Sequence, residues 1–401
     1  LKTVLISAYT CCPNTGSEPG NGWNWLMGYH QNGYTIDCVT SDLYVTEIKK
    51  FCVENNVEGI NFHFASNKLS GLSLKIPFLG DYLHYYLWLI KARPQIKKLT
   101  DNISFTHAHH ITYSSIKFGT PLYNLNTKII LGPLGGGQLP HFSLKKYLGK
   151  NYYFEVFKFS VGNFLSNINP TVSWSIKSAN CILTSNEIAA NIIKKHSSIP
   201  LVKMFDAGLS DNFDNKYIER ELNGVVNILW IGRMLPRKGL NLAIESIAQL
   251  PKDFHFHFYI VGDGPLRKAS EKAVEEHNLQ EKTTFVGKQP YNLLKPLFEK
   301  SHLLLFPSLI DSCPMQVFES MAYSLPVVTL NHQGMKDQVS EDTGIKIEVN
   351  GHSNYPQLLS EGILRISKDK ELYRRLSLNA FQFGQKQLWS KRIKKFVEET
   401  V

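Results

Sequence analysis

No stretch of this 401-residue chain runs apolar and uncharged for the roughly 18 residues a membrane-crossing helix needs, so no spanning segment is expected. Cysteine is scarce: six residues, Cys11, Cys12, Cys38, Cys52, Cys181 and Cys313, are scattered without CxxC spacing. That pattern excludes a zinc ribbon and a dense disulfide scaffold, and reads as reduced thiols in a cytoplasmic protein. Zinc-finger spacing, an RNA-module signature and long basic runs are all absent, so nucleic acid is not an expected partner. There is no dinucleotide GxGxxG fingerprint and no Asp-x-Asp triplet. The opening residues Val4-Leu-Ile-Ser-Ala8 read as a buried strand rather than a secretory leader.

What is present is ordinary globular material, 43% hydrophobic and 19% charged, with a net charge of +10. The excess of cations suits an anionic membrane surface or a phosphorylated small molecule. The length exceeds what a single hydrophobic core serves, which predicts two domains of similar size and a ligand site in the cleft between them. Short apolar runs bounded by turn residues alternate with helix-period segments, the pattern of parallel sheets covered by helices on both faces. Strands are expected at 3–8, 35–40, 60–64, 104–108, 128–132 and 181–185, and again at 226–231, 256–261, 284–286, 303–306, 327–330 and 344–347. The polar stretch from Asp206 to Asn215 separates the two sets and suits a hinge, dividing the chain into domains at 1–208 and 209–375. A helical segment, 376–401, is expected to pack outside the second sheet. Two segments, 68–100 and 141–165, mix aromatic and basic residues. They fit either an amphipathic layer on the core or a patch that lies on an anionic bilayer.

Chemistry concentrates where predicted strands end, the place at which open α/β sheets bind ligands. The strand Ile228–Ile231 runs into Gly232-Arg233 and then Lys238-Gly239, two cations positioned to meet a diphosphate. The next strand ends in Gly262-Asp263-Gly264-Pro265, a turn that permits close backbone approach, with Asp263 placed to cap the following helix. A third strand leads through Asp311 into a helix carrying Met315, Gln316, Val317 and Glu319. Amides at that helix start form an anion site, and the two carboxylates, eight residues apart, are spaced to face one pocket and accept hydrogen bonds from sugar and ribose hydroxyls.

Taken together, Gly232-Arg233…Lys238-Gly239, Gly262-Asp-Gly-Pro265, Asp311…Glu319 and Leu325-Pro-Val-Val328 resemble, in order and spacing, the retaining GT-B glycosyltransferases of family four, the group 1 glycosyl transferases. The resemblance implies a GT-B fold, two doubly wound Rossmann-like α/β domains facing each other across a cleft, the N-terminal one on the acceptor side and the C-terminal one binding a nucleotide sugar. It implies Arg233 and Lys238 on the donor diphosphate, Glu319 on the ribose, Asp311 near the transferred sugar, the amides of Met315, Gln316 and Val317 completing the phosphate cradle, and Lys288 near the base. Two departures stand out: Asp311 replaces the usual Glu and is one methylene shorter, and Pro314 removes an amide donor.

In the N-terminal half, Thr15-Gly16-Ser-Glu-Pro-Gly20 resembles the glycine loop beside the donor, and Gly16 and Gly20 permit close approach. The cluster His107-Ala-His109-His110 lacks an acidic partner at metal-ligand spacing, so no metal is expected. The family places a histidine from this loop on the donor sugar; His109 is the positional match and His110 the fallback. Gly135, Gly136 and Gly137 resemble a glycine loop carried on the acceptor side.

The expected activity is thus metal-independent, retaining transfer from a nucleotide-diphosphate sugar, UDP or GDP, with no further cofactor. The acceptor would be a glycan or lipid-linked molecule in cell-surface polysaccharide synthesis, met in the cytoplasm or peripherally at the inner membrane face. A catalytically silent nucleotide-sugar-binding subunit and a GT-B sugar-nucleotide epimerase or phosphorylase remain alternatives.

Overall fold

The computed structural model describes residues 2–66, 80–195, 197–290, 293–351 and 354–401. They form two compact units, Leu1–Gly137 with Ser160–Gly208 and Trp389–Val401, and Gln138–Phe159 with Leu209–Leu388.

The first unit is built on seven parallel strands: β1 Lys2–Ala8, β2 Tyr34–Thr40, β3 Ile60–Phe64, β4 His107–His110, β5 Ile129–Leu134, β6 Cys181–Thr184 and β7 Leu201–Lys203. They lie in the order β3-β2-β1-β4-β5-β6-β7. On β1, Val4, Ile6 and Ala8 enter one core cluster and Leu5 the other, so both faces are buried from Val4 onward and that part of the strand reads as mostly apolar. β7, only three residues long, two half-buried and one exposed, gave no apolar run to read. The fourth strand begins at His107 rather than residue 104, which places the histidine cluster inside the sheet instead of in the loop beyond it.

Two aromatic residues of the first mixed segment, Tyr85 and Trp88, belong to this core. Tyr85 and Trp88 are almost fully enclosed, and the Tyr85 hydroxyl donates to the Gly119 carbonyl at 2.6 Å. The part of that segment over 68–79 lies outside the described residues.

The expectation that 376–401 packs outside the second sheet needs correcting for its last helix, Trp389–Thr400, which covers the first unit. Trp389, Ile393 and Phe396 recur at helical spacing and bury against the helix Ser17–Gln31, with the Phe396 ring 5.3 Å from that of Trp25. Gly28 makes the contact possible, since a Cβ there would stand 2.2 Å from Ile393 Cδ1. Arg392 donates to the carbonyls of Phe205 and Ala207 and ties the helix to the end of the first unit.

The second unit has six parallel strands, β8 Val226–Ile231, β9 Phe256–Val261, β10 Thr283–Gly287, β11 Leu303–Leu305, β12 Val327–Asn331 and β13 Gly344–Glu348, ordered β10-β9-β8-β11-β12-β13. The helix Lys370–Gln385 packs here on Met315–Ala322, with Gly384 against the Ala322 backbone. Residues 138–159, which a division at 208 assigns to the first domain, associate with this unit. Gln138 donates to Ser312 Oγ at 3.2 Å, the Leu139 carbonyl accepts from Gln333 at 3.1 Å, and the Tyr147 hydroxyl donates to Glu245 at 3.0 Å.

Candidate functional site

Each sheet reverses its strand order beside its first strand, and such a switch point opens a crevice at the carboxyl ends of the flanking strands. In the second unit the crevice lies between β8 and β11, and the residues singled out in sequence gather there. Beyond β8, Gly232 meets the end of β9: a Cβ on Gly262, which has φ +123°, would sit 1.9 Å from the Gly232 carbonyl oxygen. Only glycine fits that crossing. Met234 N–H donates to the Asp263 carbonyl at 2.9 Å, fixing the turn that presents Arg233 to solvent. Asp263 does not cap the following helix; its carboxylate accepts from the adjacent Gly264 N–H at 2.7 Å, and the helix N-cap is Leu266. The Gly262 N–H in turn donates to the Gly287 carbonyl, setting exposed Lys288 on the neighbouring loop.

A single 3-10 turn, Pro236–Lys238, carries the second cation. Gly239 ends it in the left-handed region, φ +69°, and presses so close to Pro307 that a Cβ would stand 2.0 Å from its carbonyl oxygen. This contact drives Lys238 into the protein, where it is only 6% exposed. Its Nζ donates to Asp311 Oδ2 at 2.5 Å, and Arg237 lies 3.6 Å from the other carboxylate oxygen. Ser308 Oγ donates to Asp311 at 3.1 Å, and the Asp311 amide donates to Gln333 Oε1 at 3.0 Å. Burial lowers the Lys238 pKa, the Asp311 charge opposes it, and the charges of Arg237 and Arg233 lower it further. Asp311 is therefore engaged by the very lysine expected to share the donor with it.

The helix Met315–Ala322 starts at Pro314 in extended conformation, φ −69° and ψ 123°, with no side-chain cap. Its first-turn amides, those of Met315 and Gln316, have no intrahelical acceptor, whereas Val317 N–H reaches the Pro314 carbonyl at 3.3 Å. Glu319 is one turn on and buried. Lys238 and Asp311 are thus brought into contact, Arg233 lies near enough to influence Lys238, and the amide cradle and Glu319 follow on the same strand-loop-helix unit.

In the first unit the switch point lies between β1 and β4. The loop after β1 is drawn in at Gly20, where a Cβ would stand 2.0 Å from the Thr15 carbonyl oxygen, while Gly16 is exposed in open space. Thr10 N–H donates to Thr112 Oγ1 at 3.2 Å, so the two strand ends are joined. Gly135 exchanges backbone bonds with Ser114 and Ile116, and Gly136 and Gly137 have φ of +105° and +84°.

His109 does not fit the role expected of it. It is fully buried within β4, its Nε2 is 2.8 Å from the Gly132 carbonyl and its Nδ1 is 2.9 Å from the Tyr29 hydroxyl, leaving neither nitrogen for a sugar. His110 is equally buried, with Nδ1 3.0 Å from Ser7 Oγ. Burial lowers its pKa to about 3 and that of His107 to about 4, so both are neutral imidazoles in the sheet. Among the described residues no group of three or more His, Cys, Asp or Glu is arranged to hold a metal ion.

One residue escaped the sequence reading. Glu18, in the first turn of the helix after the glycine loop, accepts from Tyr113 N–H at 3.4 Å across the switch point. Burial and then the Asp206 charge push its carboxyl up to about 7, against the pull of that hydrogen bond. A carboxylate between two glycines reads in sequence as loop polarity; only the fold shows it half-buried against the end of β4.

Residues 215–383 match the family model described as glycosyl transferases group 1. An uncharacterized glycosyltransferase of Methanocaldococcus jannaschii is 30% identical over 164 residues, 41% of this chain and 44% of that protein. The putative colanic acid biosynthesis glycosyltransferase WcaL of Escherichia coli K12 is 27% identical over 124 residues, 29% of this chain and 30% of that one. The matched stretches thus span less than half the length of these relatives. Among solved structures, Anabaena HepE in complex with UDP superposes with TM-score 0.64 at 14% identity, covering 100% of this chain and 99% of that one. The fold is GT-B, two parallel-sheet Rossmann-like domains, and the related sequences are glycosyltransferases.

Proposed function

We propose that this chain is a retaining, metal-independent glycosyltransferase of family four that takes a sugar from a nucleotide-diphosphate donor, UDP- or GDP-linked. It passes the sugar to a glycan or lipid-linked acceptor in cell-surface polysaccharide assembly on the cytoplasmic side. Residues 209–375 hold the donor and residues 1–208 serve the acceptor. The observation that carries this reading is the basic loop Gly232–Gly239 beside the uncapped helix start at Met315, both at the switch point of the second sheet. HepE, of the same fold, was solved with UDP, which supports a nucleotide donor.

In this reading Arg233, Lys238 and the amides of Met315 and Gln316 face the diphosphate, Glu319 the ribose diol and Lys288 the base. As the bond from the anomeric carbon to the leaving oxygen lengthens, negative charge grows on the phosphate, where the cations and amides stabilise it. This preorganised stabilisation is the main catalytic term. The acceptor hydroxyl attacks from the same face, its proton passes to the departing phosphate oxygen, and the configuration is retained. No protein base is required.

Engagement of Asp311 by Lys238 at 2.5 Å favours one second reading, a subunit that binds nucleotide sugar without transferring it. Calorimetric binding of UDP, GDP and ADP and their sugar conjugates to the wild type, Arg233→Ala and Glu319→Ala separates the readings. A donor site predicts one nucleotide sugar bound and both variants losing it. Binding with no transfer to any acceptor supports the silent subunit, and no binding at all overturns both.

A further inference from the structure

The helix Lys150–Ile168 shows its apolar side to solvent. Tyr153, Phe157, Phe164 and Ile168 are 59%, 65%, 65% and 61% exposed, and Val161 completes the row. At 100° per residue these five positions fall within an arc of about 80° along the whole helix, a continuous stripe about 23 Å long at ~1.5 Å per residue. Tyr152, Val156 and Asn163 on the opposite side are partly covered. A soluble monomer rarely leaves so long an aromatic stripe to water.

Cations border it. Lys150 lies on the stripe's own face at the helix start and Lys158 on its flank, both exposed. In the preceding turn Lys145 Nζ stands 4.6 Å from the Tyr153 ring and 5.6 Å from that of Phe142, itself 70% exposed. The only acid on the helix is Glu155, held by Lys158 at 3.5 Å. No helix among the described residues is long and apolar enough to cross a membrane.

We propose that this helix lies flat in the interface of an anionic bilayer, inserting Tyr153, Phe157, Val161, Phe164 and Ile168 among the acyl-chain boundary while Lys145, Lys150 and Lys158 contact the headgroups. Aromatic rings with a polar tip and lysines with long apolar stems are the side chains this boundary favours. The lysine border is what selects a negatively charged surface over a second protein, whose docking would not call for cations around an aromatic stripe. The surface is independent of the donor site, so it stands or falls apart from the transfer reaction.

The test is co-sedimentation of the full chain with vesicles of phosphatidylcholine alone and of phosphatidylcholine with about 30% phosphatidylglycerol. The wild type should bind the anionic vesicles at least about tenfold better, and lose most of that binding in about 0.5 M salt. Phe157→Ser/Phe164→Ser should cut binding about tenfold or more with an unchanged thermal midpoint, both side chains being exposed. Lys145→Glu/Lys150→Glu, which keeps the apolar stripe, should abolish the preference for anionic lipid. The proposal is overturned if the wild type ignores both vesicles or binds them equally, or if either double variant binds like the wild type. It is equally overturned if sedimentation velocity shows the stripe joining two copies of the chain.

Discussion

The contact between Lys238 and Asp311 can be measured by removing its two halves separately. At 2.5 Å, with an effective dielectric constant of about 20, the bare attraction is ~6–7 kcal/mol. Desolvating two nearly enclosed charges offsets most of it, leaving a net coupling of about 2 kcal/mol. The singles should differ. Lys238→Met leaves Asp311 with Ser308 at 3.1 Å and Arg237 at 3.6 Å, a cost of about 1–2 kcal/mol. Asp311→Asn leaves a buried ammonium with no carboxylate, at a cost of about 3 kcal/mol. Urea unfolding of both singles and the double variant gives the coupling directly. Nucleotide affinity supplies the functional half: Lys238→Met should lose about 10–100-fold, as a charge-assisted bond to phosphate disappears. Asp311→Asn should bind nucleotide at least as well as the wild type, because it releases the lysine. A coupling below about 0.5 kcal/mol, or Asp311→Asn losing nucleotide as severely as Lys238→Met, would refute the argument that the aspartate competes with the donor for this cation.

Other residues answer to simpler measurements. Gly262→Ala forces a Cβ to within 1.9 Å of a carbonyl oxygen at φ +123° and should cost about 2–4 kcal/mol in urea unfolding, together with loss of nucleotide binding. Phe396→Ala, at a site 4% exposed, should cost about 3–5 kcal/mol and register in the first unit, followed by Trp25 fluorescence. Glu18, with its folded pKa raised to about 7 from an unfolded value near 4.5, contributes stability that is fully present below about pH 4.5 and lost as pH rises through 7. Glu18→Gln should therefore flatten the fall in thermal midpoint between those pH values, and an unchanged slope would show the carboxyl to be solvated.

The strands were legible wherever they are buried on both faces. Val4–Ala8, Ile228–Ile231 and Val327–Leu330 read as short, mostly apolar runs with no polar alternation because a parallel sheet under two helix layers has no wet side. Leu201–Lys203 was not, since an edge strand of three residues, two half-buried and one exposed, carries no such run. The histidines misled for a related reason. Polar residues at 107, 109 and 110 argued for a loop after an early strand, yet the sheet accepts them by giving His109 two hydrogen bonds and Nδ1 of His110 one, and by keeping them neutral. A buried polar residue with local partners has no periodic signature, so sequence alone places it outside the strand that holds it.

The same contrast separates the two candidate surfaces. A diphosphate has fixed charge and geometry, so whatever holds it needs cations and amides at set strand ends, and those survive in order from Gly232 to Glu319, inside the 215–383 stretch that matches the family model. An acceptor or a bilayer asks only for shape, aromatic area and charge in rough proportion, which many sequences supply and no motif records. In the sequence, the aromatic and basic mixtures at 68–100 and 141–165 were indistinguishable. The fold parts them: Tyr85 and Trp88 disappear into the core, while Phe157 and Phe164 stay in water. Burial therefore decides which of two similar segments has a partner still to find, and the helix Lys150–Ile168 is the one.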